Sequence, residues 1–322
     1  MAELSYAKAV ALALEEAMAA DDRVFCYGED VGFGGAYGAT QGLRDRFGPE
    51  RVRDTPISES AIVGFAVGAA VTGLRPVAEI MHMDFIACAM DQVVNQAAKL
   101  RYMFGGKAAV PMVLRCGVGG WLNAAAQHSQ ALEAWFAHVP GLKVATAGTP
   151  ADIRALLLSA IRDDNPVLVL EPLALYEQRG PVPDQAGAMP LGRAVRKRSG
   201  GDVTVVTWGA MVTPVLEAGD QLAADGIECD VLDLMSLSPW DAEAVLESVA
   251  HTHRLVIVHQ AVERGGFGAE VAATVGYRGF DLLDAPITRV AARNVPVPFS
   301  PVLEDYVLPS RQRVVEAVRA LG

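Results

Sequence analysis

Short runs of β-branched and other apolar residues alternate along this chain with longer stretches of helical spacing. RVFCYG at 23–28, RPVAEIM at 75–81, VPMVLRC at 110–116, LKVATA at 142–147 and PVLVLE at 166–171 read as buried strands. Between them, 58–73, 84–104, 129–138 and 150–162 carry helical spacing. Thr149-Pro150-Ala151-Asp152 marks one helix start, with Thr as cap and Pro in the first turn. Alternation of this kind predicts a parallel sheet covered by helices on both faces. The pattern breaks at 178–192, QRGPVPDQAGAMPLG, whose prolines and glycines read as an interdomain linker. Beyond it the alternation resumes. DVTVVTWG, IECDVLDL, HRLVIVHQ and ITRVAA read as strands, with helices over 213–225, 239–250 and GAEVAATVGY and a closing helix from Arg311. The expectation is two α/β domains, 1–177 and 193–322, each a mainly parallel sheet flanked by helices.

The 322 residues are enough for two cores. Lys plus Arg is 27 and Asp plus Glu is 38, a net charge of −11 that argues against nucleic acid or an anionic membrane surface as partner. Hydrophobic residues make up 52% and charged residues only 20%, where soluble domains carry roughly a quarter. The chain is short of surface-type residues, so either an assembly covers much of its exterior or it spans a membrane. No apolar run approaches the roughly 20 residues of a spanning helix, which leaves the assembly. MAELSYAKAV has neither the basic start and apolar stretch of a signal peptide nor the arginines of a transit peptide. Cys26, Cys88, Cys116 and Cys229 are far apart without CxxC spacing, which argues against a zinc or disulfide framework and for a reducing cytoplasm.

Most familiar chemical motifs are absent. The glycines of GFGGAYG at 32–38 miss the GxGxxG register, Gly105-Gly106-Lys107 lacks the rest of a Walker A loop, and neither GxSxG nor HExxH occurs. DTPISESAIVGFAVGAAVTG at 54–73 stands out. A strand is expected to end at Ile57, and after Ser58 a glutamate, Glu59, opens an otherwise almost wholly apolar helix. Glu59 is either a first-turn carboxylate favoured by the helix dipole, or an acid that Ala61, Ile62, Val63 and Phe65 cannot solvate and that needs a partner. Gly64 and Gly68, four apart, share one helix face and allow another helix to approach. Each costs about 1 kcal/mol against Ala, so the close contact matters.

Glu, four residues, Gly, an apolar residue, two residues, Gly matches the pyrimidine-side signature of thiamine diphosphate enzymes. Nearly end to end, the chain resembles the beta subunit of the decarboxylating component of 2-oxo acid dehydrogenase complexes, most of all the pyruvate and acetoin branches. GEDV (28–31), DTPISE (54–59), GLRPVAEIMHMDF (73–85), DQVVNQAAKLRYMFGG (91–106), AQHSQ (126–130), HVPGLKV (138–144), AIRDDNPV (160–167) and GGFGAE (265–270) carry the resemblance. It implies a transketolase-like pyrimidine-binding domain followed by a transketolase C-terminal-like domain for assembly and docking. It also implies that the cofactor, thiamine diphosphate, is activated by its own aminopyrimidine, driven to the imino form by a carboxyl group on the ring nitrogen. Glu59 matches that carboxyl, Phe85 the residue against the pyrimidine face, and Glu29, Ile57 and Met81 match positions lining the same pocket. His128 matches the histidine that faces the substrate and the incoming lipoyl group. Met112, Ala160, Ile161, Asp163 and Asn165 match a monovalent-cation site for potassium, although Asp163-Asp164-Asn165-Pro166 is equally well a helix-ending turn.

The chain also departs from the resemblance. His259 stands where an acidic residue is expected in many relatives, and Trp121 and Leu122 add bulk where small residues usually precede the histidine, which could reshape the substrate mouth. Gly201-Asp202-Val203 and Gly219-Asp220-Gln221 are no GDG motif for magnesium and diphosphate. The resemblance therefore implies an alpha subunit that holds the magnesium, an α2β2 heterotetramer, and a lipoyl-bearing acyltransferase core as further partner. The substrate expected is a 2-oxo acid, pyruvate first, with acetoin and branched-chain 2-oxo acids as alternatives. A self-sufficient transketolase or deoxyxylulose phosphate synthase would need several hundred more residues, and a non-catalytic α/β binding module would give Glu59 no role.

Overall fold

The computed structural model describes residues 1–187 and 189–321. The chain forms two compact units: Met1–Val118 with Trp135–Leu191, and Gly119–Ala134 with the chain from Gly192 onward.

The first unit holds strands β1 (Ala2–Ser5), β2 (Val24–Gly28), β3 (Val52–Asp54), β4 (Arg75–His82), β5 (Val113–Val118), β6 (Lys143–Thr146), β7 (Val167–Pro172) and β8 (Arg179–Val182). Six of them run parallel, in the order β6-β7-β5-β4-β2-β3. Every residue of β2, β5 and β7 is buried, as expected of parallel strands covered on both faces. The helices of this unit are α1 (Tyr6–Ala20), α2 (Leu43–Phe47), α3 (Glu59–Val71), α4 (Leu100–Met103) and α6 (Pro150–Arg162), and the chain re-enters the unit within α5 (Glu133–Ala137). α1 and α6 pack together, burying Leu14, Met18, Ile153 and Leu157. Thr149 caps α6 by accepting from the Asp152 N–H at 3.2 Å, with Pro150 in the first turn, as its sequence predicts.

Three segments differ from the sequence reading. The expected helix over 84–104 is a 3₁₀ turn at Met83–Ala89, a π-helical turn at Gln92–Ala97 and the single α-turn α4. There Asp91 accepts from the side-chain amides of Gln92 and Asn95 (3.1 and 2.8 Å). The strand expected to reach Ile57 ends at Asp54, because Pro56 has no N–H for a ladder. Asp54 instead accepts from the Gly32 N–H (2.6 Å) and Arg44 (2.7 Å). The stretch 178–192 opens with β8, which pairs antiparallel with β1, while Ala188 within it lies outside the described residues.

The second unit holds β9 (Val195–Arg198), β10 (Val203–Thr207), β11 (Cys229–Asp233), a short β12 (Ser236–Ser238), β13 (Leu255–Val262) and β14 (Thr288–Ala292). Its sheet has the order β14-β13-β10-β11-β9, parallel except for the antiparallel edge strand β9. Around it lie α7 (Val212–Ala223), α8 (Ala242–Thr252), α9 (Phe267–Arg278), α10 (Pro301–Val307) and α11 (Arg311–Arg319). Val205, Leu222, Val231, Val256, Val258 and Val315 form the core between the sheet and α7 and α11.

The segment Gly119–Ala134 is fastened to this unit. The N–H groups of Trp121 and Asn123 donate to the two carboxylate oxygens of Glu304 at 2.8 and 3.1 Å, and Glu304 is only 2% exposed. Trp121, Asn123 and Ala125 all take positive φ (69°, 53° and 63°), so the loop is held in a conformation that side chains disfavour. The Trp121 side chain packs against the second unit's core; its bulk goes into packing there. Glu304→Ala leaves two part-buried N–H donors without their acceptor, an expected loss of about 1–2 kcal/mol. A melting temperature lowered by several degrees, with faster proteolysis at 121–125, checks this; an unchanged melt and digest would refute it. Among the described residues, no helix is long and apolar enough to cross a membrane.

Candidate active site

In the first unit, β2 leads to β3 on one side, while its other neighbour β4 leads to β5 on the opposite side. The crossovers therefore diverge between β2 and β4, and the crevice beyond the carboxyl ends of such strands is where open α/β sheets take ligands. Glu29 directly follows β2. Met81 lies near the end of β4, and Phe85 follows it. Ile57 and Glu59 follow β3, the other neighbour of β2. Five residues from separate stretches of sequence thus stand at the carboxyl ends of three adjacent strands. Gly28 makes the close approach possible, since a Cβ there would sit 2.7 Å from the Glu79 carbonyl oxygen of β4.

Glu59 is the first residue of α3 and is half-buried. The expectation that apolar neighbours enclose it is corrected by the helix faces. Ile62 and Val63 turn into the core, but Ala61 and Phe65 point outward, and Phe65 is 53% exposed. Ile57 beside it is 79% exposed. Phe65 meets Tyr27 edge-on at 5.2 Å, and the Tyr27 hydroxyl donates to the Ile62 carbonyl at 2.6 Å, which fixes this end of the helix. The side chain of Gln92 already lies against Gly64, 3.2 Å from where a Cβ would stand, whereas Gly68 faces open space. α3 therefore presents an apolar, small-residue outer face of Ala61, Phe65 and Gly68, as an unpartnered interface helix does.

Glu29 is half-buried, and its carboxyl is pushed above the ordinary range by burial and then by the negative charge of Glu59. Asp30 and Glu79 add to the push. The charge of Glu59 is thus felt at the Glu29 carboxyl. Phe85 is half-buried, edge-on to His82 at 5.9 Å, and the His82 Nε2 is hydrogen-bonded to the Tyr37 hydroxyl at 3.2 Å.

Beneath this crevice lies a charged cluster that the sequence reading missed. Arg115 on β5 donates to both carboxylate oxygens of Glu171 on β7, at 2.7 and 2.8 Å, and to Glu79 on β4 at 2.6 Å. The Tyr176 hydroxyl completes it, donating to Glu171 at 2.6 Å. Burial pushes the Glu79 carboxyl up. Burial works against the charge of Arg115, but Glu171 and Glu79 outweigh it and hold the guanidinium above its ordinary range. The signal was present: Glu79, Arg115 and Glu171 each stand within or at the end of an apolar run read as a buried strand, and charges buried in a sheet must pair.

His128 sits exposed in the second unit, on the loop that Glu304 fastens. His259 is fully buried, stacked on Trp208 at 5.1 Å with rings 8° apart. A Cβ on Gly268 would meet its ring at 2.6 Å. Burial, then Arg289, pulls its pKa down to about 4, so it packs as a neutral ring and serves no exposed contact. Met112, Ala160, Ile161, Asp163 and Asn165 do gather after α6, but other groups use their oxygens. Arg75 donates to the Ile161 and Asp163 carbonyls (3.0 and 3.1 Å), and Val167 N–H to that of Met112 (3.0 Å). The Asp163 carboxylate accepts from Lys143 and from the Asn165 amide, and Arg101 takes the Asn165 side-chain oxygen at 2.8 Å.

A family model described as "Transketolase, pyrimidine binding domain" matches residues 2–178, and one described as "Transketolase, C-terminal domain" matches residues 192–314. The chain is 46% identical to the acetoin:2,6-dichlorophenolindophenol oxidoreductase subunit beta of Bacillus subtilis (strain 168), covering 99% of this chain and 97% of that one. It is 45% identical to the pyruvate dehydrogenase E1 component subunit beta of Rickettsia felis, over 98% of each chain. To the 2-oxoisovalerate dehydrogenase subunit beta of Bacillus subtilis it is 42% identical, over 100% and 99%. Among solved structures, a "Split gene transketolase, inactive beta4 tetramer" shares the fold, with a TM-score of 0.82 at 24% identity over 99% of this chain and 98% of that one. Matched in both halves and along its length, the chain belongs to the transketolase-like E1 beta subunits of the pyruvate, acetoin and branched-chain 2-oxo acid dehydrogenases.

Proposed function

We propose that this chain supplies the pyrimidine side of a thiamine diphosphate site and, with an alpha subunit, decarboxylates pyruvate and acylates a lipoyl group. One observation carries the reading: a half-buried pair of carboxylates, Glu29 and Glu59, shares the β2–β4 crevice end with Met81 and Phe85, beside the exposed apolar Ile57 and Phe65. These residues fit an aminopyrimidine, which needs a carboxyl group on a ring nitrogen and apolar surface on its faces. When bound, the cofactor supplies a nucleophilic carbon for a 2-oxo carbonyl and an electron sink that lets carbon dioxide leave. Glu59 holds and exchanges the proton at the pyrimidine nitrogen, and Glu29 stands beside it in the same crevice. Met81, Ile57 and Phe85 keep water from the ring, and His128 serves as proton donor to the substrate and the incoming dithiolane.

The outward apolar face of α3 supports an alpha subunit closing over Glu59 in an α2β2 heterotetramer and bringing the magnesium and diphosphate contacts. In this reading 1–177 forms the cofactor side, 178–192 the link, and 193–322 the part that assembles and docks on a lipoyl acyltransferase core in the cytoplasm. The potassium reading has less support. Arg75 and Lys143 already bring two positive charges to the oxygens it would use, so no step is assigned to it. Acetoin is the second reading for the substrate, favoured by the acetoin relative, and turnover of pyruvate, acetoin and 2-oxoisovalerate by the assembled enzyme decides between them.

The test of the half-site is cofactor binding by calorimetry. The chain alone is expected to bind thiamine diphosphate weakly or not at all, and at least about 100-fold more tightly once an alpha subunit and magnesium are added, since half of the contacts are then restored. Tight binding by the chain alone would replace this reading with a self-sufficient enzyme. No binding in either state would remove it.

A further inference from the structure

The second unit contains a cavity of about 540 Å³ within its own residues, in the size range of small-molecule sites. It lies one strand over from the point where the crossovers of this sheet diverge. β10 leads to β11 on one side and its neighbour β13 leads to β14 on the other, so the crossovers diverge between β10 and β13. The cavity lies at the carboxyl ends of β13 and β14, lined there by Gln260, Val262 and Ala292. Across from them it is lined by the loop that Glu304 fastens, including Ser129.

Two buried polar groups on its wall have no hydrogen-bond partner in the protein, the Ser129 hydroxyl and the Gln260 side-chain nitrogen, and Ser129 is only 2% exposed. Folded proteins rarely leave such groups unmatched. The Gln260 amide is turned by its surroundings: its oxygen lies against Gly119, where a Cβ would stand 1.9 Å away. The nitrogen, a donor, is buried and has no partner in the protein. Gly119 has φ +91°, so the glycine serves both the turn and this approach.

The charge of the wall is equally one-sided. In a chain of net charge −11, no Asp or Glu is among the described residues lining the cavity, and its one charged side chain is Arg264 at the exposed rim. Arg264 is set in place by its own N–H, which donates to the Asn294 side-chain oxygen at 3.0 Å. Val262, Val297 and Leu308 add apolar surface, beside the neutral amides of Gln127, Gln130 and Asn294. Neutral donors, a cation at the mouth, no carboxylate and a partly apolar lining fit an anionic acceptor head on a hydrocarbon tail.

We propose that this cavity is an accessory site for a medium-chain monocarboxylate, held by Ser129, Gln260 and Arg264. The site does not rest on the reaction proposed above, and its test reads binding rather than turnover. Octanoate, octan-1-ol and octylamine are titrated calorimetrically into the full chain, wild type and variants. Octanoate is expected to bind, with octan-1-ol about tenfold weaker and octylamine weaker still, because only the carboxylate uses the cation and both donors. Arg264→Gln, an exposed change with little risk to folding, weakens octanoate about fivefold and leaves octan-1-ol alone. Gln260→Leu weakens octanoate as well, in a protein whose circular dichroism matches the wild type. Absence of octanoate binding, equal affinity for octanoate and octan-1-ol, or unchanged octanoate affinity in Arg264→Gln would each overturn the proposal.

Discussion

Glu59→Gln, in enzyme assembled with an alpha subunit, is expected to cut decarboxylation by about three orders of magnitude while leaving the protein folded. Glutamine has the same length and can still accept or donate one hydrogen bond, so the start of α3 keeps its shape. It cannot exchange a proton at a ring nitrogen, and a positioned acid or base of this kind contributes roughly 10²–10⁴-fold. The structural cost is limited to the attraction between a first-turn carboxylate and the helix dipole, about 0.3–1 kcal/mol. The carboxylate pair gives a second readout. Glu29 is raised partly by the charge of Glu59, so removing that charge relaxes Glu29 toward the ordinary carboxylate range. Its titration, followed by carboxyl-specific infrared difference spectra, should move to lower pH in the variant. Turnover at wild-type level would remove Glu59 from the chemistry altogether. Lost turnover with an unmoved Glu29 titration would show that the two carboxylates do not share a field.

What the sequence reveals of this protein is what depends on near neighbours along the chain. The alternation of apolar runs and helical spacing places β2, β4, β5, β6 and β7 because each strand is a mostly buried apolar run. Thr149 and Pro150 announce α6 because a cap acts within one turn. Glu59 is legible because it opens an apolar helix, whichever way the sheet is ordered. Strand order is another matter. That β2 sits between β3 and β4 depends on crossover geometry, so the crevice joining Glu29, Met81 and Phe85 could not be read from spacing. The loop carrying His128 follows a first-unit strand, yet it packs with the second unit because Glu304, 183 residues beyond Trp121, takes up its N–H groups. The irregular turns over 83–103 escape because the apolar spacing of this stretch suits a regular helix equally well. The charges of Glu79, Arg115 and Glu171 were visible singly, but their meaning lies in register across three strands.

That register makes Arg115 the residue whose loss should cost the fold most. Arg115→Met keeps the length and apolar stem of the side chain but leaves Glu79 and Glu171 facing each other on the buried sheet without a cation. Breaking a buried ion pair from one side costs about 3–5 kcal/mol. In a chain of this size that lowers the melting temperature by roughly 10 °C. The pH dependence separates this cause from simple repacking. Burial already raises the Glu79 carboxyl, and removing the guanidinium that opposes this raises it further. A carboxyl whose folded pKa exceeds its unfolded value favours the folded state below the unfolded value, about 4.3 for Glu, and that contribution is lost as pH rises through the folded value. The deficit of Arg115→Met should therefore shrink as pH falls from 7 toward 5, and be largest at neutral pH and above. Adding Glu79→Gln and Glu171→Gln should recover much of it, because two amides need no buried counter-charge. Thermal melts of the single and triple variants across that pH range check all three statements. A deficit that is the same at every pH, or a triple variant less stable than the single one, would show that Arg115 stabilises the sheet by packing alone and that the carboxylates are satisfied without it.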